Sequence, residues 1–349
     1  MEFFTKTPDQ QQQVLGNLSA FPWPSDDADR PAQMLERCPA AAETPLTRAE
    51  ALARRAGVGE VLVKDERGRM GLGSFKALGA AYVIAHDAAN GGARGSTYVT
   101  ASAGNHGMSV AAGAAAFGAR SVIYIAETVP ETFAERLRAQ GAEVRREGAI
   151  YEDSMAAAAA AAEKEGLILL SDSSWPDYTD RPHRLMEGYL VLMREAVAQM
   201  SRPPTHLFLQ AGVGGLAAAA AVHARRFWGT APRIVVVEPD RAPALFGSIL
   251  AGRPTETPGP ASDMGRLDCK EPSWIALKGL ARDADMFMTI TENEGQAGAD
   301  ACAGAGLPTT TSGGAGVSGL LAAAAGDRDA FGLDAASRVM VILSEAAAA

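Results

Sequence analysis

Apolar and polar positions follow two rhythms along the chain. Short runs rich in Val, Ile, Leu, Phe and Thr occur at 59–64, 97–101, 121–126, 167–171, 205–210, 233–238, 286–290 and 338–343. Several, such as Arg233-Ile-Val-Val-Val-Glu238, are nearly continuous in apolar character, which suits a strand covered on both faces. Between them lie longer, Ala-rich stretches of helical character at 77–89, 107–117, 131–140, 153–165, 184–200 and 215–227. The Ala run at 156–162 reads as helix rather than low complexity, because Ala is the strongest helix former. Strands alternating with helices of this length imply βαβ units and mostly parallel sheets. The first forty residues break the pattern: Phe21-Pro-Trp-Pro-Ser-Asp-Asp27 reads as a loop, and the segment is expected to wrap a larger body.

Composition narrows the partners. At 349 residues and 47% hydrophobic content, the chain can build one large or two modest α/β domains. A net charge of -9, without any block of Lys and Arg, argues against a nucleic-acid surface. Cys38, Cys269 and Cys302 are far apart, odd in number and lack a CxxC pair, so neither a disulfide framework nor a metal site is expected. The N-terminus shows no basic stretch followed by an apolar one, and no run of about 18 apolar residues occurs outside the Ala-rich helices. A cytoplasmic protein without membrane contact is the expectation.

Three glycine-punctuated loops carry the candidate chemistry. Gly71-Leu-Gly-Ser-Phe-Lys76 opens a helix, and a lysine on a first helical turn feels the positive end of the macrodipole, which lowers its pKa toward a nucleophilic neutral amine. A lone lysine of this kind is more often a solvated surface residue. Thr100-Ala-Ser-Ala-Gly-Asn-His-Gly107 lies between a strand and a helix of small residues and presents backbone N–H groups suited to a carboxylate. Asn105 adds an amide, and His106 reads as a packing residue rather than a base. Gln210-Ala-Gly-Val-Gly-Gly-Leu-Ala217 lets backbone approach a phosphate. Gly212-x-Gly214-x-x-Ala217, with Glu238 closing the next strand, also fits a dinucleotide fingerprint, but a nicotinamide-dependent oxidoreductase leaves the other two loops unexplained.

Taken together, Ser74-Phe75-Lys76, Ser102-Ala-Gly-Asn-His-Gly107 and the loop 212–215 resemble the signature of fold-type-II (tryptophan-synthase-β-like) pyridoxal-phosphate enzymes. The resemblance extends from Thr44-Pro45-Leu46 to Ser344. Within that group, Val63-Lys-Asp-Glu66, Ser171-Asp-Ser-Ser-Trp-Pro176, Met186-Glu-Gly-Tyr189, Val237-Glu-Pro-Asp240 and Leu267-Asp-Cys-Lys-Glu-Pro-Ser273 look like the diaminopropionate ammonia-lyases. Two positions depart from that pattern: Ala103 stands where those lyases carry Asp, and Gly314 where they tend to carry Glu.

The resemblance implies two three-layer αβα domains: a large one from 1–84 and 176–349, and a small substrate-closing one from 85–175. It implies pyridoxal 5'-phosphate held as a Schiff base by Lys76, which would also be the Cα base. Backbone N–H groups of Gly212, Val213, Gly214 and Gly215 would take the phosphate, Asn105 the ring oxygen and Ser344 the pyridine nitrogen. Ser102, Ala103, Gly104 and His106 would close on the substrate carboxylate. Asp172 is a second acid/base candidate, with a turn or N-cap role as its plain alternative, while Trp175 and Tyr178 could cover the site. The implied reaction is α,β-elimination from a small amino acid resembling 2,3-diaminopropionate, yielding a 2-oxo acid and ammonia, in a homodimer. Serine/threonine dehydration, β-replacement, or a non-catalytic cofactor-binding regulatory role are the alternatives. Ala103 cannot accept a proton, so one base on one face, Lys76, implies preference for the L-enantiomer.

Overall fold

All eight apolar runs form strands, and three short ones join them. The computed structural model describes residues 1–347, and among them the strands are β1 (Glu2–Thr5), β2 (Leu46–Arg48), β3 (Glu60–Asp65), β4 (Thr97–Ala101), β5 (Arg120–Ile125), β6 (Glu143–Arg146), β7 (Ile168–Leu169), β8 (His206–Gln210), β9 (Arg233–Pro239), β10 (Met286–Ile290) and β11 (Arg338–Leu343). Seven of them make one sheet in the order β1-β10-β9-β8-β11-β3-β2, and four make another in the order β6-β5-β4-β7. The smaller sheet is parallel throughout. In the larger, the inner pairs are parallel, and only the edge strands β1 and β2 run antiparallel to their neighbours. Every residue of β8 and β10 is buried, as their unbroken apolar sequences require of strands covered on both faces.

The three strands without a readable sequence signal are all edges. β1 is four residues long, too short for alternation to show, yet Phe4 packs on Phe287 with ring centroids 5.6 Å apart and on Phe246 at 4.7 Å. Part of the N-terminal segment therefore completes the large sheet and does more than wrap it. β6, Glu-Val-Arg-Arg, carries charge on the rim of the small sheet, where it discourages pairing with another chain.

The large sheet draws its strands from residues 2–65 and 206–343, the small one from 97–169. We propose the domain division 1–84 and 176–349 against 85–175 on that basis. The junction at 84–85 falls within the continuous helix Lys76–Ala89, which packs on both Asn105–Ala116 and Asp180–Gln199. A buried ionic network braces the large domain beside this helix. Lys64 Nζ on β3 donates to Glu195 Oε2 (2.7 Å) and to the Thr44 carbonyl (2.6 Å), and Arg69 donates to both Glu195 and Glu66. Lys64, wholly buried and so engaged, is not a competing nucleophile.

Candidate active site

The residues singled out above gather beyond the carboxyl ends of parallel strands, where open α/β sheets place their ligands. Gly71 and Gly73 take positive φ values (71° and 77°), allowing the chain to turn sharply into the helix whose first residue is Lys76. Two backbone bonds sew this turn to the chain after β11: Phe75 N–H to the Ser344 carbonyl (3.1 Å) and Ala346 N–H to the Gly73 carbonyl (2.9 Å). Lys76 and the residues around Ser344 are thereby held as one unit.

Lys76 Nζ is paired with the carboxylate of Asp172, which comes from the loop after β7. The two side chains are only 21% and 17% exposed. Burial disfavours the charge on each, but the partner's charge outweighs it: the Lys76 ammonium is held well above its ordinary pKa and Asp172 well below the usual carboxylate range. The helix start alone would lower the lysine's pKa; the carboxylate laid against it reverses the sign. The Nζ also lies 5.3 Å from the centre of the Phe75 ring and 5.9 Å from that of Tyr189. Tyr189 is buried, its hydroxyl finds no hydrogen-bond partner among the described residues, and burial pushes its pKa up. Trp175 and Tyr178 stack on each other at 4.4 Å, and Tyr178 Oη accepts from Ser171 N–H and donates to the Leu169 carbonyl. They brace the Asp172 loop, which explains their presence without a role as a cover.

The second loop follows β4. A Cβ on Gly107 would stand 2.2 Å from the Ser102 carbonyl oxygen, so only glycine permits the turn. Ser102 Oγ accepts from Gly104 N–H at 3.2 Å. His106 Nε2 bonds the Leu170 carbonyl at 2.8 Å, and burial lowers its pKa, in keeping with a neutral packing residue. Its Nδ1 has no partner among the described residues. Asn105 donates through Nδ2 to Glu345, a buried carboxylate that also accepts from Thr310 Oγ1.

The third loop links β8 to the helix Gly215–Trp228. Gly214 adopts φ 97°, and a Cβ there would press on Leu245 Cδ1 (3.0 Å) and Ala276 Cβ (3.2 Å). Among the described residues the N–H groups of Gly212 and Gly214 donate to no backbone carbonyl, and the helix start adds further donors, so the loop offers an anion a ready seat. The thiol of Cys269 lies against it, 2.9 Å from where a Gly212 Cβ would be. Burial, reinforced by the Asp172 charge, pushes that thiol up to about 12. Glu238, the acid a dinucleotide would need, is fully buried and accepts from the N–H groups of Leu245 (2.8 Å) and Phe246 (2.7 Å). It caps a neighbouring helix and is closed to a ribose, which removes the dinucleotide alternative.

Sequence patterns assigned no site role to Glu345, Tyr189, Cys269 or Arg266, although Tyr189 and Cys269 lie within motifs that carry the resemblance. One signal existed for Glu345: it directly follows the strand end that carries Ser344. Ser344 itself is buried, with its N–H bonded to the Gly313 carbonyl at 3.1 Å.

Comparison with known proteins agrees with this geometry. Residues 38–345 match the family model described as pyridoxal-phosphate dependent enzyme. The chain belongs to that family. Its cofactor is pyridoxal 5'-phosphate, and the lysine amine, the N–H groups of Gly212 and Gly214 and the polar groups between them suit an aldehyde, a phosphate and a polar ring. The enzyme is 31% identical over 285 residues to a diaminopropionate ammonia-lyase of Salmonella typhimurium, covering 74% of this chain and 70% of that one. A putative threonine dehydratase of Sinorhizobium fredii is 35% identical over 215 residues, 61% of this chain and 60% of the relative. Among solved structures, the Escherichia coli diaminopropionate ammonia-lyase in complex with an aminoacrylate-PLP azomethine intermediate superposes with TM-score 0.84 at 26% identity, covering 99% of this chain and 93% of that one. The fold is that of fold-type-II enzymes.

Proposed function

We propose that the enzyme carries out α,β-elimination on a small amino acid with an amine at Cβ, 2,3-diaminopropionate or a near relative, yielding a 2-oxo acid and ammonia. The observation that carries this is the Lys76–Asp172 pair, set between an anion-accepting glycine loop and a carboxylate-accepting one. The bound cofactor supplies an electron sink that acidifies the substrate Cα–H. Lys76 would hold its aldehyde carbon, the N–H groups of Gly212, Val213, Gly214 and Gly215 its phosphate, Asn105 its ring oxygen and Ser344 its ring nitrogen. Backbone donors of Ser102, Ala103, Gly104 and His106 would orient the substrate carboxylate. Lys76 is the amine placed to take the Cα proton. Asp172 keeps that amine in position and is the acid/base group nearest to it. Because both proton-transfer groups stand together and Ala103 has no proton acceptor, the L-enantiomer is the expected substrate.

Ala103 also makes this wall of the site neutral, which favours serine or threonine dehydration as the second reading. An assay of 2-oxo acid release across D- and L-forms of 2,3-diaminopropionate, serine and threonine separates the two. K76A should abolish release and the cofactor's visible absorption together, with the circular dichroism of the fold intact. Persistence of that absorption would overturn the lysine assignment. A cytoplasmic homodimer is our reading of its state. Three free thiols, and no helix among the described residues long and apolar enough to cross a membrane, support the compartment. Sedimentation of the holoenzyme tests the dimer.

A further inference from the structure

Arg266 sits in the loop between the helices Ala244–Ala251 and Trp274–Asp283 and touches both glycine loops. Its backbone lies against the phosphate loop: a Cβ on Gly212 would stand 3.3 Å from the Arg266 carbonyl oxygen. Its guanidinium lies against the carboxylate loop, where a Cβ on Gly104 would meet Cζ and Nη1 at 3.1 Å and Nε at 3.2 Å. The backbone is pinned by Arg266 N–H to Ser312 Oγ (3.1 Å), and the guanidinium carbon lies 6.0 Å from the centre of the Phe133 ring across the cleft. Among the described residues the guanidinium donates no hydrogen bond. Its one acidic neighbour, Glu345, is 3.7 Å from Nε and already accepts from Asn105 and Thr310. A planar group with five donors, 42% exposed at this edge of the site and without a close hydrogen-bond acceptor among the described residues, can take a carboxylate in bidentate fashion.

The substrate's α-carboxylate has its own donors in the backbone of Ser102–His106, so the guanidinium is surplus to it. Ala103, next to the Gly104 that the guanidinium touches, carries no charge to repel a second anion. The other charged groups are accounted for: Lys76 and Asp172 neutralise each other, and Glu345 faces Arg266 itself. We infer that Arg266 recognises a second carboxylate borne by the substrate at Cβ, so that the preferred substrate class is the 3-amino (or 3-hydroxy) derivatives of a four-carbon amino dicarboxylic acid. This rests on the elimination reading above for its leaving group, and on the Arg266 geometry alone for its second carboxylate.

The test uses ligands that lack a Cβ leaving group, so that binding is read without turnover. Aspartate and alanine are titrated into the holoenzyme and followed by the cofactor's visible spectrum. Aspartate should bind about ten- to a hundredfold more tightly than alanine, the loss expected when a charge-assisted pair is missing. R266Q should remove most of that difference, and Arg266→Lys should restore part of it. If the wild type binds the two alike, the proposal is wrong. If R266Q weakens both ligands equally, Arg266 serves the α-carboxylate and the proposed substrate class falls. In parallel, kcat/KM is compared for 2,3-diaminopropionate and its 3-carboxy homologue, 2,3-diaminosuccinate, and the homologue should be favoured in the wild type only. Absence of 2-oxo acid from every substrate, with the aspartate preference intact, would overturn the elimination reading and leave the Arg266 site standing.

Discussion

Lys76 and Asp172 sit in surroundings where either charge alone would be unfavourable, and each is stabilised by the other. In D172N, burial acts on the lysine unopposed and lowers its pKa, so a neutral amine becomes available at lower pH. The apoenzyme of D172N should therefore take up cofactor at lower pH than the wild type, followed by its visible absorption. Elimination itself should slow by about 10²–10⁴-fold, the usual worth of a positioned acid/base group. A merely structural Asp172 would leave the pH of cofactor uptake where it was.

At the level of elements, the second and third loops work because a strand ends and a helix begins within a few residues, with glycine (Gly107, Gly214) where a Cβ has no room. Gly214 combines a left-handed φ with side-chain neighbours at 3.0 and 3.2 Å. G214D would strain the turn and set a carboxylate beside a phosphate dianion. We expect cofactor affinity to fall by at least about a hundredfold, roughly 3 kcal/mol, when measured by equilibrium dialysis, with the far-ultraviolet circular dichroism little changed. Undiminished affinity would move the phosphate elsewhere. The helix over Gly215–Trp228 and the strand β8 were plain from the apolar pattern, whereas β1, β2 and β6 were not. Edge strands of three or four residues bury too little of one face to impose alternation.

Across the whole molecule, the network of Lys64, Glu66, Arg69 and Glu195 joins β3 to the helix Asp180–Gln199, which packs on the helix starting at Lys76. Removing Glu195 leaves the buried Lys64 without its carboxylate, while Arg69 keeps Glu66. E195A should cost about 3–5 kcal/mol, read as a lower urea midpoint at an unchanged slope. An effect near zero would mean that water enters and solvates Lys64. The smaller sheet contributes no residue to this network, so loss of stability should appear without loss of the Lys76–Asp172 geometry or of cofactor absorption below the transition.

The sequence by itself determined the eight inner or longer strands, the Ala-rich helices between them, which strands are buried on both faces, and which glycine loops stand at helix starts. These features follow from short-range rules: side-chain period, helix propensity and the freedom of glycine. The tertiary structure alone decided the partnerships. Asp172 reaches Lys76 across 96 residues and Asn105 reaches Glu345 across 240, because sheet order brings distant strand ends side by side. It also turned Glu238 from a candidate ribose acid into a helix cap, and set the Arg266 guanidinium beside Gly104. Local pattern records how much of a residue must be buried. Which charge lies opposite it depends on strand order and loop path, to which residues far apart in the chain contribute jointly.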